Sequence, residues 1–129
     1  MINTNVFDYV NVLDKAADAS WLRNEAISNN LANSTTPLYK RQDVSFEDTL
    51  RQSIMGADGT NLDSKISEIN LQRLRPTVYT DSAASSYRLD GNNVDVDTEN
   101  VYLAQNQIKY QGLIDCINQE FTNLQNAMK

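Results

Sequence analysis

The stretch VFDYVNVLDKAADASWLRNEAISNNLAN, residues 6–33, decides the fold because its apolar and small residues recur at one period. They are spaced alternately by four and three positions, which is the a/d pattern of a heptad repeat. Neither Gly nor Pro interrupts residues 5–33, so this spacing predicts a helix roughly 40–45 Å long, capped by Asn3 or Thr4. The seam of this first helix consists of Val6, Val10, Leu13, Ala17, Ser20, Asn24, Ile27 and Leu31.

The other end of the chain repeats this spacing over residues 97–129. Asp97 or Thr98 is expected to cap this last helix, with Glu99 in its first turn. Polar residues on a seam lower stability and can fix register or partner choice, and each of the two seams contains them. The seam of the last helix consists of Leu103, Gln107, Tyr110, Ile114, Ile117, Phe121, Leu124 and Met128.

Two seams of matching length should pair, because a single long apolar stripe would otherwise stay exposed. We therefore predict a mainly α fold in which long N- and C-terminal helices pair as an antiparallel coiled coil. Residues 1–33 and 97–129 form the coiled-coil domain in this interpretation, and residues 34–96 form a short, irregular, β-containing connecting segment. The polar seam positions predict a pair that is weak alone and completes its packing with other chains.

The connecting segment carries weaker signals. A short helix is expected over residues 46–55, with Ser45 as its cap and Gly56 as its stop, and a weak helical pattern follows over residues 64–74. Strand-like residues at 77–80 and 87–89 suggest a β-hairpin.

Composition excludes several classes of function. The net charge is −6 and the pI is about 4.5, which disfavours binding to nucleic acid or to an anionic membrane surface. No segment approaches the roughly 18 apolar residues of a membrane span, and the first residues lack the basic and apolar regions of a secretory signal peptide. Cys116 is the single cysteine, and its apolar sequence neighbours favour a small buried hydrophobe.

The chemistry of enzymes is largely missing. The chain has no histidine, the side chain most used for proton transfer near neutral pH and the commonest zinc ligand, and it has no glycine-rich phosphate loop. Residues 90–99 contain several carboxylates that could bind Ca²⁺ or serve acid–base catalysis, but the EF-hand spacing is absent. The favoured interpretation is a turn that leads into a helix cap. We therefore assign no catalytic residue, metal ligand or cofactor.

Two motifs carry a resemblance to a known family. Residues 27–40, ISNNLANSTTPLYK, resemble the Asn-Ile/Leu-Ala-Asn … Thr-Pro-Gly-Tyr/Phe-Lys motif that ends the first helix of bacterial flagellar axial proteins. Residues 89–99, LDGNNVDVDTE, and 103–111, LAQNQIKYQ, resemble the entry to the last helix in the short rod proteins of that family. Leu38 stands where the family usually has Gly, so it would be strained if that position needs a positive φ. The residues matched to the motifs are Asn30, Ala32, Asn33, Thr36, Pro37, Tyr39, Lys40, Asn92, Asn93, Val94 and Asp95.

The resemblance implies a structural, non-enzymatic subunit of the proximal rod of the flagellar basal body, part of a hollow, torque-transmitting shaft in the periplasm. It implies homo-oligomeric contacts within the rod and contacts with FlgC-like, FlgF-like and FlgG-like rod proteins and a FliE-like adaptor to the membrane ring. It also implies export by the flagellar type III apparatus without a cleaved signal peptide. A soluble coiled-coil adaptor or secretion chaperone that binds a partner helix is the alternative, and a small carboxylate enzyme at residues 90–99 is the third hypothesis.

Overall fold

A computed structural model describes residues 5–82 and 88–129 of the chain, and the side chains of the first helix from Phe7 onward. The helix cap expected at Asn3 or Thr4 and the side chain of Val6 therefore lie outside what is described. The elements in chain order are α1 (Asn5–Ala32), β1 (Gln42–Ser45), α2 (Glu47–Gly56), α3 (Leu62–Ser67), β2 (Thr77–Thr80) and α4 (Val96–Ala127). The fold is mainly helical, with two long terminal helices and a small two-stranded sheet in the middle segment.

The two long helices lie side by side and run in opposite directions. Asn30, near the end of α1, donates to Glu99 in the first turn of α4, and Asn106 of α4 donates back to the carbonyl of Ser20. The order of these contacts is reversed along the two helices. The buried residues of α4 are Glu99 and Asn106, so this helix buries polar rather than apolar side chains against the rest of the chain.

A second face of α1 carries the hydrophobic core. Val12 and Ala19 are buried there against the middle segment. Such a stripe at seven-residue spacing lies beside the seam on the same helix, so α1 is covered from two sides. The other buried members of this core are Phe46, Ile66, Ile69 and Leu74, with Leu50, Ile54 and Leu71 packed on its edge.

The middle segment agrees with the sequence in part. Helix α2 occupies the expected place, but Phe46 rather than Ser45 precedes it and no side chain caps it. The strand expected at 77–80 is present as β2, but its partner is β1, which the sequence analysis did not foresee. The pair is antiparallel, with Gln42 opposite Thr80 and Ser45 opposite Thr77. Of the expected strand at 87–89, residue 87 lies outside the described residues, and Arg88 and Leu89 form a bend and a turn.

Two further expectations were wrong. Asp95, not Asp97 or Thr98, caps α4, because its carboxylate accepts from the backbone N–H groups of both those residues. Cys116, on α4, is exposed rather than buried. Among the described residues, no helix combines the length and the hydropathy needed to cross a membrane.

Candidate assembly site

The end of α1 is fastened to β1 by one buried amide. Asn30 donates from Nδ2 to the carbonyl of Gln42 over 2.8 Å and accepts from the Gln42 N–H over 2.8 Å. The Tyr39 hydroxyl donates to the same Asn30 Oδ1 over 3.0 Å. The side chain thus pairs with β1 as a neighbouring strand would, and it fixes where the chain goes after the helix.

The segment before α4 caps the end of α1. Asn92 is buried and donates from Nδ2 to the carbonyls of Asn33, over 2.8 Å, and Thr36, over 2.9 Å. The last carbonyls of a helix lack partners within the helix, so this distant amide supplies one of the missing donors. The Leu38 N–H donates to the carbonyl of Asp90 over 2.8 Å, which joins the two segments a second time.

Further contacts between the segment after α1 and the segment before α4 lie closer to the sheet. Asn93 accepts from the Arg41 N–H over 2.7 Å and donates from Nδ2 to the Asp81 carbonyl over 2.7 Å. The Lys40 ammonium donates to the Gly91 carbonyl over 2.5 Å. The two motif segments recognised in the sequence therefore lie along each other, although about fifty residues separate them in the chain.

A buried ion pair connects this junction to α4. Arg41 Nε donates to Glu99 Oε1 over 2.5 Å and Arg41 Nη1 donates to Asp81 over 2.8 Å, while the guanidinium lies 5.3 Å from the Tyr102 ring centroid. Burial acts to lower the pKa of Arg41, but its hydrogen bonds to Glu99 and Asp81 outweigh that effect and the pKa is raised. The charge of Glu99, which is only 1% exposed, is therefore compensated where α4 begins.

A second ionic cluster joins three helices. Arg23 of α1 donates from Nη1 and Nη2 to the two oxygens of Glu47 on α2, over 2.6 and 2.7 Å, and from Nε to Asp43 over 3.2 Å. Lys109 of α4 also pairs with Glu47. Hydrogen bonds from Arg23 hold the pKa of Glu47 well below its ordinary value. This cluster fixes the middle segment between the two long helices.

The seam residues differ in burial between the two helices. Within the chain, Ala17 and Ile27 are buried and Val10, Leu13 and Leu31 are half-buried on α1. On α4, the half-buried seam residues are Leu103, Ile114, Ile117 and Leu124, and the exposed ones are Tyr110, Phe121 and Met128. The α4 half of the seam therefore keeps apolar surface accessible in the single chain.

The motif residues divide into a buried set and an exposed set. Asn30, Asn92 and Val94 are buried, and Asn33, Tyr39, Lys40 and Asn93 are half-buried around the junction. The outer side of the turn exposes Ala32, Thr36 and Pro37, and Asp95 is exposed while it caps α4.

Three of the four carboxylates of residues 90–99 have structural partners. Asp90 pairs with Arg88 over 3.0 Å, Asp95 caps α4 and Glu99 pairs with Arg41. Within the described part of the chain, no group of three or more His, Cys, Asp or Glu could hold a metal ion. The arrangement fastens two chain segments and two helices to each other.

Sequence reasoning missed Arg23, Arg41 and Glu99, which are central to the two ionic clusters. Glu99 lies four residues before Leu103, so a carboxylate occupies the position that precedes Leu103 on the apolar seam. A buried charge on a seam needs a partner of opposite sign, so the position of Glu99 could have predicted that it forms an ion pair.

Curated proteins of similar sequence were found, whereas no protein-family model matches the chain. The flagellar basal body rod protein FlgB of Bacillus subtilis (strain 168) is 34% identical over 90% of this chain and 89% of its own. FlgB of Borrelia hermsii is 33% identical over 94% of this chain and 90% of its own, and FlgB of Escherichia coli (strain K12) is 28% identical over 83% of each. The chain therefore belongs to the FlgB family of flagellar basal body rod proteins.

Proposed function

We propose that this protein is a structural subunit of the proximal rod of the flagellar basal body and has no enzymatic role. The observation that carries the proposal is the junction in which the two family motifs, at residues 27–40 and 89–99, fasten the end of α1 to the start of α4. A subunit that transmits torque needs such a fixed geometry between its long helices. The adaptor or chaperone hypothesis is not favoured, since the similar proteins are named as rod proteins and align with this chain over most of their length.

We further propose that α1 and α4 pair as an antiparallel coiled coil whose packing is completed by neighbouring subunits. Support comes from α4, where Tyr110, Phe121 and Met128 lie on the seam and stay exposed within one chain. Apolar surface at these positions is stabilising only when another surface covers it. In this proposal the exposed part of the motif turn, around Thr36 and Pro37, docks on a neighbour.

The proposed location is the periplasmic part of the rod, reached through the flagellar type III export apparatus without a cleaved signal peptide. The proposed partners are further copies of this chain, the FlgC-like, FlgF-like and FlgG-like rod proteins, and the FliE-like adaptor. The resemblance of the two motifs to the axial family supports these partners.

The test is complementation of a motile bacterium from which the gene has been deleted. We expect the wild-type chain to restore swimming and to be found by mass spectrometry in isolated basal bodies. Ile117→Asp places a charge on the half-buried seam and should abolish both, because a carboxylate would have to be buried between helices.

The matched control is Asn118→Asp, which changes the exposed neighbouring position and should leave swimming intact. A wild-type chain that forms a soluble dimer and never enters basal bodies would refute the rod proposal and favour the adaptor. Normal swimming of the Ile117→Asp strain would refute the proposed role of the seam.

A further inference from the structure

A groove lies midway along the pair formed by α1 and α4, and the packing of the chain itself does not account for the polar side chains that line it. It has a volume of about 290 Å³ and lies between the middle of α1 and the third to fifth turns of α4. Two residues at its floor, Ser20 and Asn106, are 1% and 4% exposed. The groove is lined by Ser20, Trp21, Asn24, Asn106, Gln107, Tyr110 and Gln111.

Three buried oxygen atoms at this groove have no hydrogen-bond partner within residues 5–82 and 88–129. They are Ser20 Oγ, Asn24 Oδ1 and Asn106 Oδ1. The amide nitrogen of Asn106 donates to the Ser20 carbonyl over 2.8 Å. This contact fixes the orientation of the amide group, and the amide oxygen has no donor among the described residues. Buried polar atoms are rarely left unpaired in native proteins, so three in one place form a candidate site for a donor from outside the chain.

The chemistry of these atoms selects the donor. The two amide oxygens accept hydrogen bonds only, and the Ser20 hydroxyl can accept as well. A lysine ammonium offers three donors and an arginine guanidinium five, and neither brings an acceptor of its own. A neutral amide from a partner would bring another carbonyl that needs a donor in turn.

The charge of the helix pair favours the same kind of partner. Helices α1 and α4 together carry eight carboxylates and three cations, a net charge of −5 out of −6 for the chain. Two of those cations, Arg23 and Lys109, are held by Glu47. A basic helix would therefore be attracted to this part of the surface more strongly than either long helix of a second copy, since those helices carry the same net negative charge.

The rim of the groove supplies apolar contact. Trp21 is 64% exposed on α1, and Tyr110 lies across the groove on α4. Aromatic faces attract cations and also bury the apolar stems of long basic side chains. We propose that this groove receives a lysine or arginine from an amphipathic helix of a basic partner protein, with apolar residues of that helix covering Trp21 and Tyr110. The inference rests on the proposed function, because the rod is where such a helix would be met.

The experiment places the photo-cross-linker p-benzoyl-phenylalanine at Gln111, on the exposed rim, in full-length chain expressed in the deletion strain. After irradiation of whole cells, we expect an adduct with a different protein, mapped by mass spectrometry to a helix with a lysine or arginine within one turn of the linked residue. Changing that cation to glutamine should lower the yield about tenfold, the effect of losing one charge-assisted hydrogen bond.

Variants of Asn24 separate docking from internal packing, because this residue is half-buried and tolerates change better than Ser20. Asn24→Asp keeps an acceptor and adds attraction to a cation, so the yield should be kept or raised. Asn24→Leu removes the acceptor and should lower the yield about tenfold. Thermal unfolding of both purified variants checks that each is folded.

The outcomes decide between the proposals. An adduct with a second copy, an adduct with a segment that lacks a cation, no adduct, or an unchanged yield in Asn24→Leu would overturn the inference and leave a groove that only sets helix register. Mass spectrometry of basal bodies from the same strain tests the proposed function separately. A chain present in basal bodies without the expected adduct would refute the docking inference alone.

Discussion

Leu38 shows how a single residue can carry backbone strain at the point where the two motifs meet. Its φ is 63°, in the left-handed region, and its side chain is 77% exposed. Gly91 lies opposite with a φ of 74°, and a Cβ at Gly91 would come within 2.9 Å of Leu38 Cδ2. The position where the family usually has Gly therefore does require a positive φ here, and a leucine in that conformation is strained by about 1–2 kcal/mol.

We predict that Leu38→Gly raises the free energy of unfolding by about 0.5–1 kcal/mol. Relief of the left-handed strain, about 1–2 kcal/mol, is partly offset by the greater entropy of glycine in the unfolded chain. Urea denaturation of the two proteins measures the difference. Leu38→Ala is the control, because it keeps a Cβ at the same φ and should gain nothing. A less stable glycine variant would contradict the strain argument.

At the scale of elements, α1 differs from α4 in having two covered faces. On one face Ile27 lies beside Tyr102 and Asn106 of α4, and the other face buries Val12 and Ala19 in the core with the middle segment. Helix α4 has a single covered side, on which its fully buried residues are polar. The apolar stabilisation of the single chain therefore comes mainly from α1 and the middle segment.

A matched pair of phenylalanines tests this asymmetry. Phe46 is 2% exposed within the core, and Phe121 is 45% exposed on α4. Phe46→Ala should lower the free energy of unfolding by about 3–5 kcal/mol, because it leaves a cavity in the core. Phe121→Ala should lower it by less than about 1 kcal/mol, since nearly half of the residue is already exposed to water. Urea denaturation of the two monomeric variants measures both losses in the free energy of unfolding. Equal losses would contradict the assignment of the core.

The ionic cluster at Glu47 predicts a dependence of stability on acid. The pKa of Glu47 lies below its ordinary value of 4.5, first because of the hydrogen bonds from Arg23 and then because Lys109 adds to them. A carboxylate with a lowered folded pKa stabilises the fold above pH 4.5, and this contribution is lost as the pH falls toward the folded value. Stability should therefore decrease progressively as the pH falls below about 5.

Glu47→Gln should flatten that acid-dependent part of the stability curve, and Arg23→Met should flatten it in the same way because it removes the main donor. Chemical denaturation at a series of pH values measures the slope. An acid dependence in Glu47→Gln equal to that of the wild type would show that other carboxylates cause it.

The sequence could predict the elements whose signals are local. The periods of α1 and α4, the strand at 77–80 and the short helix before Gly56 all follow from neighbouring residues. Strand β1 could not be predicted, because QDVS has no strand-like alternation and is held by distant partners, Thr80 across the sheet and the amide of Asn30. The second buried face of α1, with Val12 and Ala19, was not predicted, because the seam residues alone already account for the heptad pattern.

The candidate site was located by its motifs but not explained by them. Asn30 and Asn92 were identified from the resemblance, but their roles as a strand partner and a helix cap depend on chain segments far away in the sequence. The pairing of Arg41 with Glu99 likewise requires the fold, because nothing local in the sequence brings a loop cation to a helix 58 residues away.

Across the whole molecule, burial declines along α4 with distance from the junction, whereas α1 has buried residues from Val12 to Asn30. The junction end combines the buried Asn30 and Asn92, the Arg41–Glu99 pair and the sheet. Farther along α4, residues 107–127 contain half-buried and exposed side chains but no buried one. Local opening free energies follow local burial, so residues 107–127 of α4 should open more readily than α1.

We therefore predict that backbone amides of residues 107–127 exchange with solvent deuterium at least about tenfold faster than those of residues 12–30 in the free subunit. Hydrogen exchange followed by mass spectrometry of peptides covering both ranges measures this ratio. In isolated basal bodies, neighbouring subunits would cover the exposed seam of α4, so residues 107–127 should become protected while residues 12–30 change little. Equal protection of both helices in the free subunit would mean that α4 is already fully packed, and the apolar surface on its seam would then need no neighbour.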